Sequence, residues 1–369
     1  MKRIFTIIVF LSAMSCCDMA AHNLDEKLPI RGFAIEAPTH ETLNKFLDFI
    51  VDELAPSKVN LLILRVDWNY APKSHPELSN GKNLNKKEIR KLRRACKKNG
   101  IRLVPLLNLL GHQSIGKQNL SLLNIYPQFE EIPSEIDSYL RWPQPEGFYC
   151  KSYCPLHPDV HIIVFEVIDE ICKSFKADTF HAGMDEVFYI GEADCPRCHG
   201  KDRSELFAGE IKLIHDYLSS KKRNMMIWGD RLLDGRATGL GQWEASYIDT
   251  WRAVDMIPKD ILICNWHYEK ADSSSLFFAQ KGFPVVTCGY KIPDVSIQQI
   301  NDIVQFRSQT NEDTAKNLYG YIHTIWNSSG YFVDRFYNDT EKDSESKVLP
   351  NVGVEATKTV LNYFRGLNE

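Results

Sequence analysis

Short, continuous apolar runs alternate along the chain with longer stretches in which apolar residues recur at a helical period. Most of the short runs are apolar at every position, which is typical of parallel strands that are covered on both faces. Eight such runs occupy residues 32–37, 59–67, 101–108, 179–184, 224–229, 261–266, 283–288 and 319–326. The amphipathic stretches, which predict helices, occupy residues 41–54, 86–99, 159–175, 204–220, 273–281, 296–308 and 354–364.

The repeated order of strand and helix indicates the fold class. Eight strand–helix units in one chain predict an α/β protein built as a single (β/α)8 TIM barrel. A doubly wound sheet is the structural alternative, but the number of units and the lack of a glycine-rich turn after the first run argue against it. The connection at residues 111–158, after the third strand, is too long for an ordinary loop and is expected to be functional.

The start of the chain has a pattern that predicts export. A charged beginning is followed by an apolar run at residues 4–14, which is too short to span a bilayer. Residues 13–16, Ala-Met-Ser-Cys, resemble a bacterial lipobox, which predicts a lipid on Cys16. We therefore expect residues 1–27 to be a signal peptide and lipoprotein tether and residues 28–369 to be the barrel domain. The expected location is the periplasm or the cell surface of a bacterial envelope, with membrane contact only through the lipid anchor.

Charge and composition narrow the classes of partner. The 369 residues carry a formal net charge of −4, and the sequence pI is about 6.3. Since there is no basic stripe and no long run of one charge, we expect no nucleic-acid partner. Aromatic residues make up 11% of the chain, which fits either a large core or a surface on which sugar rings stack.

Candidate site residues lie on or next to the carboxyl ends of the predicted strands, where TIM barrels hold their functional groups. The most informative are Asp185 and Glu186, two adjacent carboxylates after the fourth run. Like charges in one pocket repel, and such a pair is typical of glycoside chemistry, in which one acid is protonated and the other ionised. The other candidates are Glu36, Asp67, His112, His181, Trp228, Asp230, Trp266, His267, Tyr290 and Trp326.

The segment at residues 181–186, His-Ala-Gly-Met-Asp-Glu, resembles the His-x-Gly-Gly-Asp-Glu motif of glycoside hydrolase family 20, the β-N-acetylhexosaminidases. Asn-Leu-Leu-Gly-His at residues 108–112 is similar to a segment that ends in Pro-Gly-His in that family, with leucine in place of proline. Asp67 falls where the family carries an aspartate after its second strand. The tryptophans that cradle the sugar in the family are matched by Trp228, Trp266 and Trp326. The resemblance extends over roughly residues 29–365.

Three departures from the family pattern predict an outlying branch with an altered sugar preference. The arginine that the family carries after its first strand is absent from residues 35–40. The family's Tyr-x-Asp after strand seven becomes Tyr-Lys-Ile-Pro-Asp at residues 290–294. Its Trp-x-Glu after strand eight becomes Trp-Asn-Ser at residues 326–328. The acid pair is kept, whereas several contacts to the outer sugar hydroxyls are not.

The resemblance implies a retaining, substrate-assisted mechanism that requires no cofactor. In this mechanism Glu186 is the general acid and base, and Asp185 orients the 2-acetamido group of the substrate, whose oxygen is the nucleophile. Tyr290 is expected to donate a hydrogen bond to that acetamide oxygen. Asp67 and His112 are expected to form a supporting hydrogen-bonded pair.

The remaining candidates are expected to bind or orient the sugar. His267 is expected to contact hydroxyls in place of the missing arginine, and His181 is expected to orient or pack. Asp230 either binds hydroxyls or pairs with Arg231, and the sequence leaves both open. Glu36, at the end of the first strand, is expected to contact the substrate.

These observations predict a glycoside hydrolase that removes N-acetylhexosamine-type residues from glycans. One alternative is a non-catalytic surface lipoprotein that binds glycans, and another is a barrel glycosidase of different linkage specificity. The intact acid pair favours the enzyme, whereas the missing hydroxyl contacts favour the binding protein.

Ten cysteines are present, and four of them form two pairs on predicted loops. The pairs are Cys150-x3-Cys154 and Cys195-x2-Cys198. They fit a structural zinc site, disulfides in an oxidising compartment, or unrelated thiols. Any zinc bound there is expected to be structural, because the family resemblance implies no metal in catalysis.

Overall fold

Eight parallel strands close into a barrel in the computed structural model, which describes residues 24–67, 70–81, 84–115, 118–132, 150–338 and 352–367. The barrel strands are β1 (Ile30–Glu36), β2 (Leu61–Arg65), β3 (Arg102–Leu109), β6 (Thr179–Gly183), β7 (Asn224–Trp228), β8 (Leu262–Trp266), β9 (Val285–Gly289) and β10 (Leu318–Thr324). Each strand pairs with the next, and β10 returns to pair with β1, so that Ile30 lies opposite Gly320. The predicted (β/α)8 TIM barrel is confirmed.

Helices cover the outside of the barrel, and short 3-10 segments extend several loops. The helices are α1 (Leu43–Phe49), α2 (Lys86–Lys98), α3 (Ser121–Ile125), α4 (Val160–Phe175), α5 (Arg203–Ser220), α6 (Gly235–Thr238), α7 (Ser274–Gln280), α8 (Pro293–Gln309), α9 (Glu312–Ala315), α10 (Ser329–Tyr337) and α11 (Val354–Gly366). A π-helical turn, Ile50–Leu54, continues α1. The 3-10 segments are Pro76–Leu78, Pro127–Phe129, Asp230–Leu232 and Thr250–Asp255.

Helix α2 illustrates how the local sequence sets these boundaries. The Asn85 side chain accepts hydrogen bonds from two N–H groups of the first turn, and the Glu88 carboxylate accepts one from the N–H of Asn85. This reciprocal capping box satisfies N–H groups that have no partner within the helix. The buried residues Ile89, Leu92 and Cys96 recur at three- and four-residue spacing, so one face of the helix packs into the core.

The core has two layers, which explains why the strand runs are apolar at nearly every position. One layer fills the interior of the barrel and includes Ile63, Met226 and Ile322. The larger layer lies between the strands and the surrounding helices. Apolar residues also continue past strand ends. Val59 and Val66 are buried just outside β2, which is why the run predicted at residues 59–67 is longer than the strand.

The long connection after β3 has structure of its own. It begins with a hairpin of β4 (Ser114–Ile115) and β5 (Gln118–Asn119), continues through α3, and returns to α4 after residue 150. Residues 133–149 of this loop lie outside the described residues, as do residues 1–23, on which the predicted signal peptide and Cys16 fall. In the part of the chain that is described, no helix has both the length and the apolar character needed to cross a bilayer.

Candidate active site

A cavity of about 900 Å³ opens at the carboxyl ends of the barrel strands. One wall is formed by the β4–β5 hairpin and α3, and includes Ser114, Ile115 and Asn124. Of the residues predicted from the sequence to form the site, those that line the cavity are Glu36, Asp67, His112, Asp185, Glu186, Trp266 and Trp326. The other predicted residues are not part of the cavity lining: His181, Trp228, Asp230, His267 and Tyr290.

Asp185 and Glu186 both face the cavity because the chain turns sharply after β6. Adjacent residues of a regular strand point to opposite faces. Here Gly183, Met184 and Glu186 have φ angles of +70°, +72° and +48°, in the left-handed region. The strand therefore ends before the acid pair, and both carboxylates line the same pocket with less than 10% of either residue exposed.

His112 lies between the two acids. Its Nε2 is 3.0 Å from Asp185 Oδ2 and 3.3 Å from Glu186 Oε2. Burial lowers the pKa of His112, but the negative charge of Asp185 and its neighbours outweighs burial and holds the pKa well above its usual value. Burial raises the pKa of Asp185, but the charge and hydrogen bond of His112 outweigh it and lower that pKa. The arrangement therefore favours an imidazolium cation beside an ionised Asp185.

Asp67 has partners besides His112. Its carboxylate accepts a hydrogen bond from the N–H of Asn108 (3.1 Å) and pairs with Arg65 Nε (3.2 Å). Burial raises the pKa of Asp67, and Arg65, the Asn108 N–H and the charge of His112 partly offset that rise, in decreasing order. The predicted support from His112 is thus electrostatic and smaller than that from Arg65.

Asp230 holds the backbone of the acid pair. Its Oδ2 accepts hydrogen bonds from the N–H of Glu186 (2.9 Å) and from Arg231 Nε (2.7 Å), and its Oδ1 accepts one from Trp266 Nε1 (3.2 Å). Burial raises the pKa of Asp230 to about 6, Arg231 opposes the rise, and the charge of Asp185 adds to it. Of the two interpretations left open for Asp230, pairing with Arg231 is the one observed. Asp230 is buried and does not line the cavity, so it positions Glu186 and Trp266 rather than touching a ligand.

His267 is also behind the cavity wall, although the sequence places it among the sugar contacts. It is 1% exposed. Its Nδ1 lies 2.8 Å from Glu244 Oε2, and its Nε2 lies 2.8 Å from Ser274 Oγ. Glu244 lines the cavity and was missed in the sequence, because it lies in the irregular connection after β7 rather than directly at a strand end. His267 therefore orients a carboxylate that the cavity presents.

Trp228 and His181 form the floor beneath the site. Trp228 is 1% exposed and packs against Trp326, with ring centroids 5.6 Å apart, and against His181 at 4.5 Å. His181 Nδ1 accepts a hydrogen bond from the N–H of Gly183 (3.1 Å), which helps fix the turn into the acid pair. Trp266 and Trp326 line the cavity, whereas Trp228 is placed to support Trp326.

The tyrosine that lines the cavity is Tyr268 rather than Tyr290. Tyr268 lies two residues beyond β8, and its hydroxyl accepts a hydrogen bond from Trp326 Nε1 (2.9 Å). The ring of Tyr290 packs edge-on against Tyr268, with centroids 5.4 Å apart, and is outside the lining. Burial raises the pKa of both phenols. In the sequence, His267, Tyr268 and Glu269 all follow the sixth strand. The sequence alone does not show which of these three side chains reaches the cavity.

An arginine that the sequence interpretation overlooked enters the cavity from β2. Arg65 is the last residue of that strand, and its Nη2 donates to Glu36 Oε2 (2.8 Å). Its guanidinium carbon lies 5.5 Å from the ring centroid of Trp326, within the range of a cation–π interaction. The predicted absence of an arginine after the first strand is correct, but the neighbouring strand supplies one to the same pocket.

Two glycines allow the backbones around the acid pair to approach closely. A Cβ at Gly111 would lie 2.7 Å from the carbonyl oxygen of Asp185. A Cβ at Gly183 would lie 2.8 Å from Asn108 Oδ1, and the φ angle of +70° there also disfavours a side chain. The segments at the ends of β3 and β6 therefore approach each other closely at Gly111 and Gly183, where a side chain would displace neighbouring atoms.

The four loop cysteines do not form one group. Cys154, Cys195 and Cys198 cluster with Glu131, whereas Cys150 lies beside His112 and Glu186. The Sγ of Cys150 donates to the carbonyl oxygen of Glu186 (3.4 Å). Of the interpretations left open for these cysteines, one site formed by all four does not match the structure, because Cys150 lies beside His112 and Glu186 and not beside the other three.

Residues 29–357 match the family model for the catalytic domain of glycosyl hydrolase family 20. The chain belongs to this family. Among curated relatives, the beta-hexosaminidase of Emericella nidulans is 22% identical over 350 residues, which cover 87% of this chain and 54% of the relative. Beta-hexosaminidase 1 of Coccidioides posadasii is 22% identical over 294 residues, which cover 71% of this chain and 45% of the relative. The chain therefore spans about half the length of these curated relatives.

Solved family 20 structures share the fold of this chain. A chitobiase from Flavobacterium johnsoniae superimposes with a TM-score of 0.59 at 18% identity, covering 92% of this chain and 51% of the other. A beta-N-acetylhexosaminidase from Bacteroides fragilis gives a TM-score of 0.57 at 16% identity, covering 90% of this chain and 66% of the other. At these identities the likeness shows the barrel architecture alone. Any conclusion about chemistry depends on the residues of the site.

Proposed function

We propose that this family 20 protein is a retaining glycoside hydrolase that removes N-acetylhexosamine-type residues from glycans by substrate-assisted catalysis. The observation that carries the proposal is the contact of His112 with both Asp185 and Glu186 inside the cavity. The cation beside Asp185 holds that carboxylate in the charged form, which is the form that orienting the acetamide group requires. The resemblance to beta-hexosaminidases in sequence supports the same substrate class.

The roles of the two acids are those of the family's substrate-assisted mechanism. Glu186 donates its proton to the leaving glycosidic oxygen while the acetamide oxygen of the substrate bonds to the anomeric carbon. The ionised Asp185 accepts a hydrogen bond from the acetamide N–H and stabilises the positive charge that develops on that group. Water then opens the cyclic intermediate with Glu186 as base, and the configuration is retained. Asp230 keeps Glu186 in place through its N–H.

The residues proposed to contact the outer parts of the sugar differ from the family pattern. Tyr268, already held by Trp326, takes the place predicted for Tyr290 as donor to the acetamide oxygen. Arg65 replaces the arginine missing after the first strand. Glu244 supplies a carboxylate that can accept from sugar hydroxyls. These substitutions support an altered sugar preference within the same chemistry.

The test is hydrolysis of aryl β-N-acetylglucosaminide and β-N-acetylgalactosaminide with and without an N-acetyl-thiazoline inhibitor, which mimics the cyclic intermediate. Inhibitable release is expected, and Glu186→Gln should lower kcat by about 10²–10⁴-fold. Glu205→Gln, on the exposed first turn of α5, is the matched control and should leave kcat unchanged. Wild-type turnover in Glu186→Gln would overturn the assignment.

Two other outcomes would favour the alternative functions. No release from either aryl substrate, together with specific binding on a glycan array, would favour a glycan-binding protein without turnover. Release of oligosaccharides rather than single sugars from a natural glycan would favour a barrel glycosidase of different linkage specificity. The wall formed by the β4–β5 hairpin, on which Ile115 is 65% exposed, offers a surface for sugars beyond the first one.

We propose in addition that the protein is exported and anchored through a lipid on Cys16. The charged start, the apolar run at residues 4–14 and the lipobox-like residues 13–16 support this. Labelling of cells that express the full chain with a fatty-acid analogue should mark the wild type and a Cys17→Ser control, but not Cys16→Ser. A wild-type chain that stays unlabelled and cytoplasmic would refute the proposal.

A further inference from the structure

We propose that Glu131, Cys154, Cys195 and Cys198 form a closed tetrahedral site for a structural zinc ion. One ligand atom from each of these residues lies within 4.8 Å of the others, and all four residues are buried. This set differs from the four cysteines indicated by the sequence, because a carboxylate takes the place of Cys150. The site is outside the cavity and needs no assumption about the activity of the protein.

The spacing of the thiols fits a single ion. Cys154 Sγ is 3.3 Å from Cys198 Sγ and 3.5 Å from Cys195 Sγ. Zinc bound by thiolates at about 2.3 Å in tetrahedral geometry separates the sulfurs by about 3.8 Å, so a small outward adjustment would admit the ion. The Sγ of Cys154 lies at nearly equal distances from the Sγ atoms of Cys195 and Cys198. A disulfide would instead bond two of the three sulfurs and leave the third thiol with the carboxylate.

Glu131 provides an independent sign that a cation belongs here. The residue is fully buried. Its Oε1 accepts a hydrogen bond from the N–H of Glu192 (3.2 Å), and the carboxylate otherwise faces the thiols of Cys154, Cys195 and Cys198. No ion pair joins Glu131 to a basic side chain within those residues either. A buried carboxylate without a counter-charge is strongly unfavourable, and a divalent ion at the thiols would supply that charge.

The local backbone is suited to thiolate ligands. Cys195 and Cys198 are separated by two residues, a spacing that is common in structural zinc sites. The N–H of Cys198 donates to Cys195 Sγ (3.4 Å), which stabilises negative charge on that sulfur. Three thiolates and one carboxylate carry the same formal charge as the four thiolates of an all-cysteine zinc site. Soft sulfur ligands in a closed tetrahedral set favour zinc over magnesium or calcium.

The ion would fasten the long loop after β3 to the loop after β6. Glu131 and Cys154 belong to the first loop, in which the Cys154 N–H donates to the Phe129 carbonyl (2.7 Å) and the Glu131 N–H donates to the Ser152 carbonyl (3.0 Å). Cys195 and Cys198 belong to the second, which begins at the acid pair. The metal is therefore expected to stabilise the position of both loops without entering the chemistry.

The experiment is metal analysis of the purified full-length protein with matched variants. The wild type should contain about one zinc per chain, and Cys154→Ser and Glu131→Gln should lose most of it. Cys172→Ser, a buried thiol on α4, and Glu130→Gln, the neighbouring buried acid, should retain it. Equal zinc contents in Glu131→Gln and Glu130→Gln would remove Glu131 from the site.

Two measurements on the wild type keep the proposal testable if the variants fail to fold. Cobalt exchanged for zinc should give the visible absorption of tetrahedral Co²⁺ together with thiolate-to-metal charge-transfer bands. Alkylation of the unfolded protein with a chelator and without reducing agent, followed by peptide mass analysis, should find Cys154, Cys195 and Cys198 all as modified thiols. A disulfide-linked pair among these three in a metal-free protein would overturn the proposal.

Discussion

One methyl group added at residue 111 should disturb the acid pair from outside the cavity. A Cβ there would lie 2.7 Å from the Asp185 carbonyl oxygen and 3.2 Å from Val187 Cγ2. Gly111 is not among the residues with positive φ, so alanine suits its backbone and any effect arises from the contact itself. The carbonyl that must move belongs to the residue proposed to orient the acetamide group.

The size of the effect follows from the displacement required. Ordinary carbon–oxygen contacts are about 3.3 Å or longer, so the Asp185 carbonyl must shift by about 0.6 Å. Misplacement by about 1 Å can lower a rate about 10²-fold, which makes a fall in kcat of about tenfold the expectation for Gly111→Ala. Overpacking of a well-packed site usually destabilises by about 1–3 kcal/mol.

The assay combines initial rates on the aryl β-N-acetylglucosaminide with urea unfolding. Gly209→Ala is the matched control, because apart from its chain neighbours and the backbone of its own helix, α5, no atom lies within 4 Å of a Cβ at that position. The control should keep the wild-type kcat and gain about 1 kcal/mol of stability, since alanine is the better helix former. If Gly111→Ala also shows wild-type kcat and stability, the close approach of β3 to the acid pair has no functional consequence and the reasoning fails.

Other predictions address charge in the site. Arg65→Met should lower kcat/KM by about 10–150-fold, because hydrogen bonds from charged groups contribute about 1.5–3 kcal/mol. Arg102→Met, which breaks an exposed pair at the opposite end of the barrel, is its control, and equal losses in both would contradict a role in the cavity. Because the pKa of His112 is raised, its stabilisation is complete below about pH 6.5 and is lost as pH rises through the raised pKa. The difference in unfolding free energy between wild type and His112→Gln should therefore shrink at alkaline pH, and a constant difference would argue against the charged form. The lowered pKa of Asp185 means that its stabilisation is lost as pH falls through that pKa, so Asp185→Asn should flatten the acid limb of the same titration.

The fold and the acid pair in the cavity could be predicted because both follow from short-range patterns. Continuous apolar runs mark parallel strands, and the ends of those strands meet at one mouth, which brought Glu36, Asp67 and the acid pair together. Arg65 was missed because the apolar run continues through buried Val66 to Asp67, so the sequence predicts the carboxyl end of the strand two residues too late.

Residues positioned by irregular segments could not be found in the same way. Glu244 and Glu131 depend on the path of long connections, and one acid among 48 has no local signature. Tyr268 and Tyr290 both follow strands, and only the packing of one ring against the other decides which of them reaches the cavity. The cysteine spacing left zinc, disulfides and unrelated thiols open, and it could not show that Glu131 lies beside Cys154, Cys195 and Cys198 while Cys150 does not.

The left-handed residues around the acid pair bear on how readily this scaffold can change its specificity. Asp67, Leu110, His112, Met184 and Glu186 all have positive φ without being glycine. At about 1–2 kcal/mol each, their conformations together oppose folding by about 5–10 kcal/mol, which is comparable to the entire net stability of many domains. The other interactions of the barrel must offset this unfavourable free energy before any destabilising mutation can be tolerated. New sugar preferences in this protein would then be limited by tolerance to destabilising changes more than by the room in the pocket, and directed evolution should begin from a thermostabilised parent.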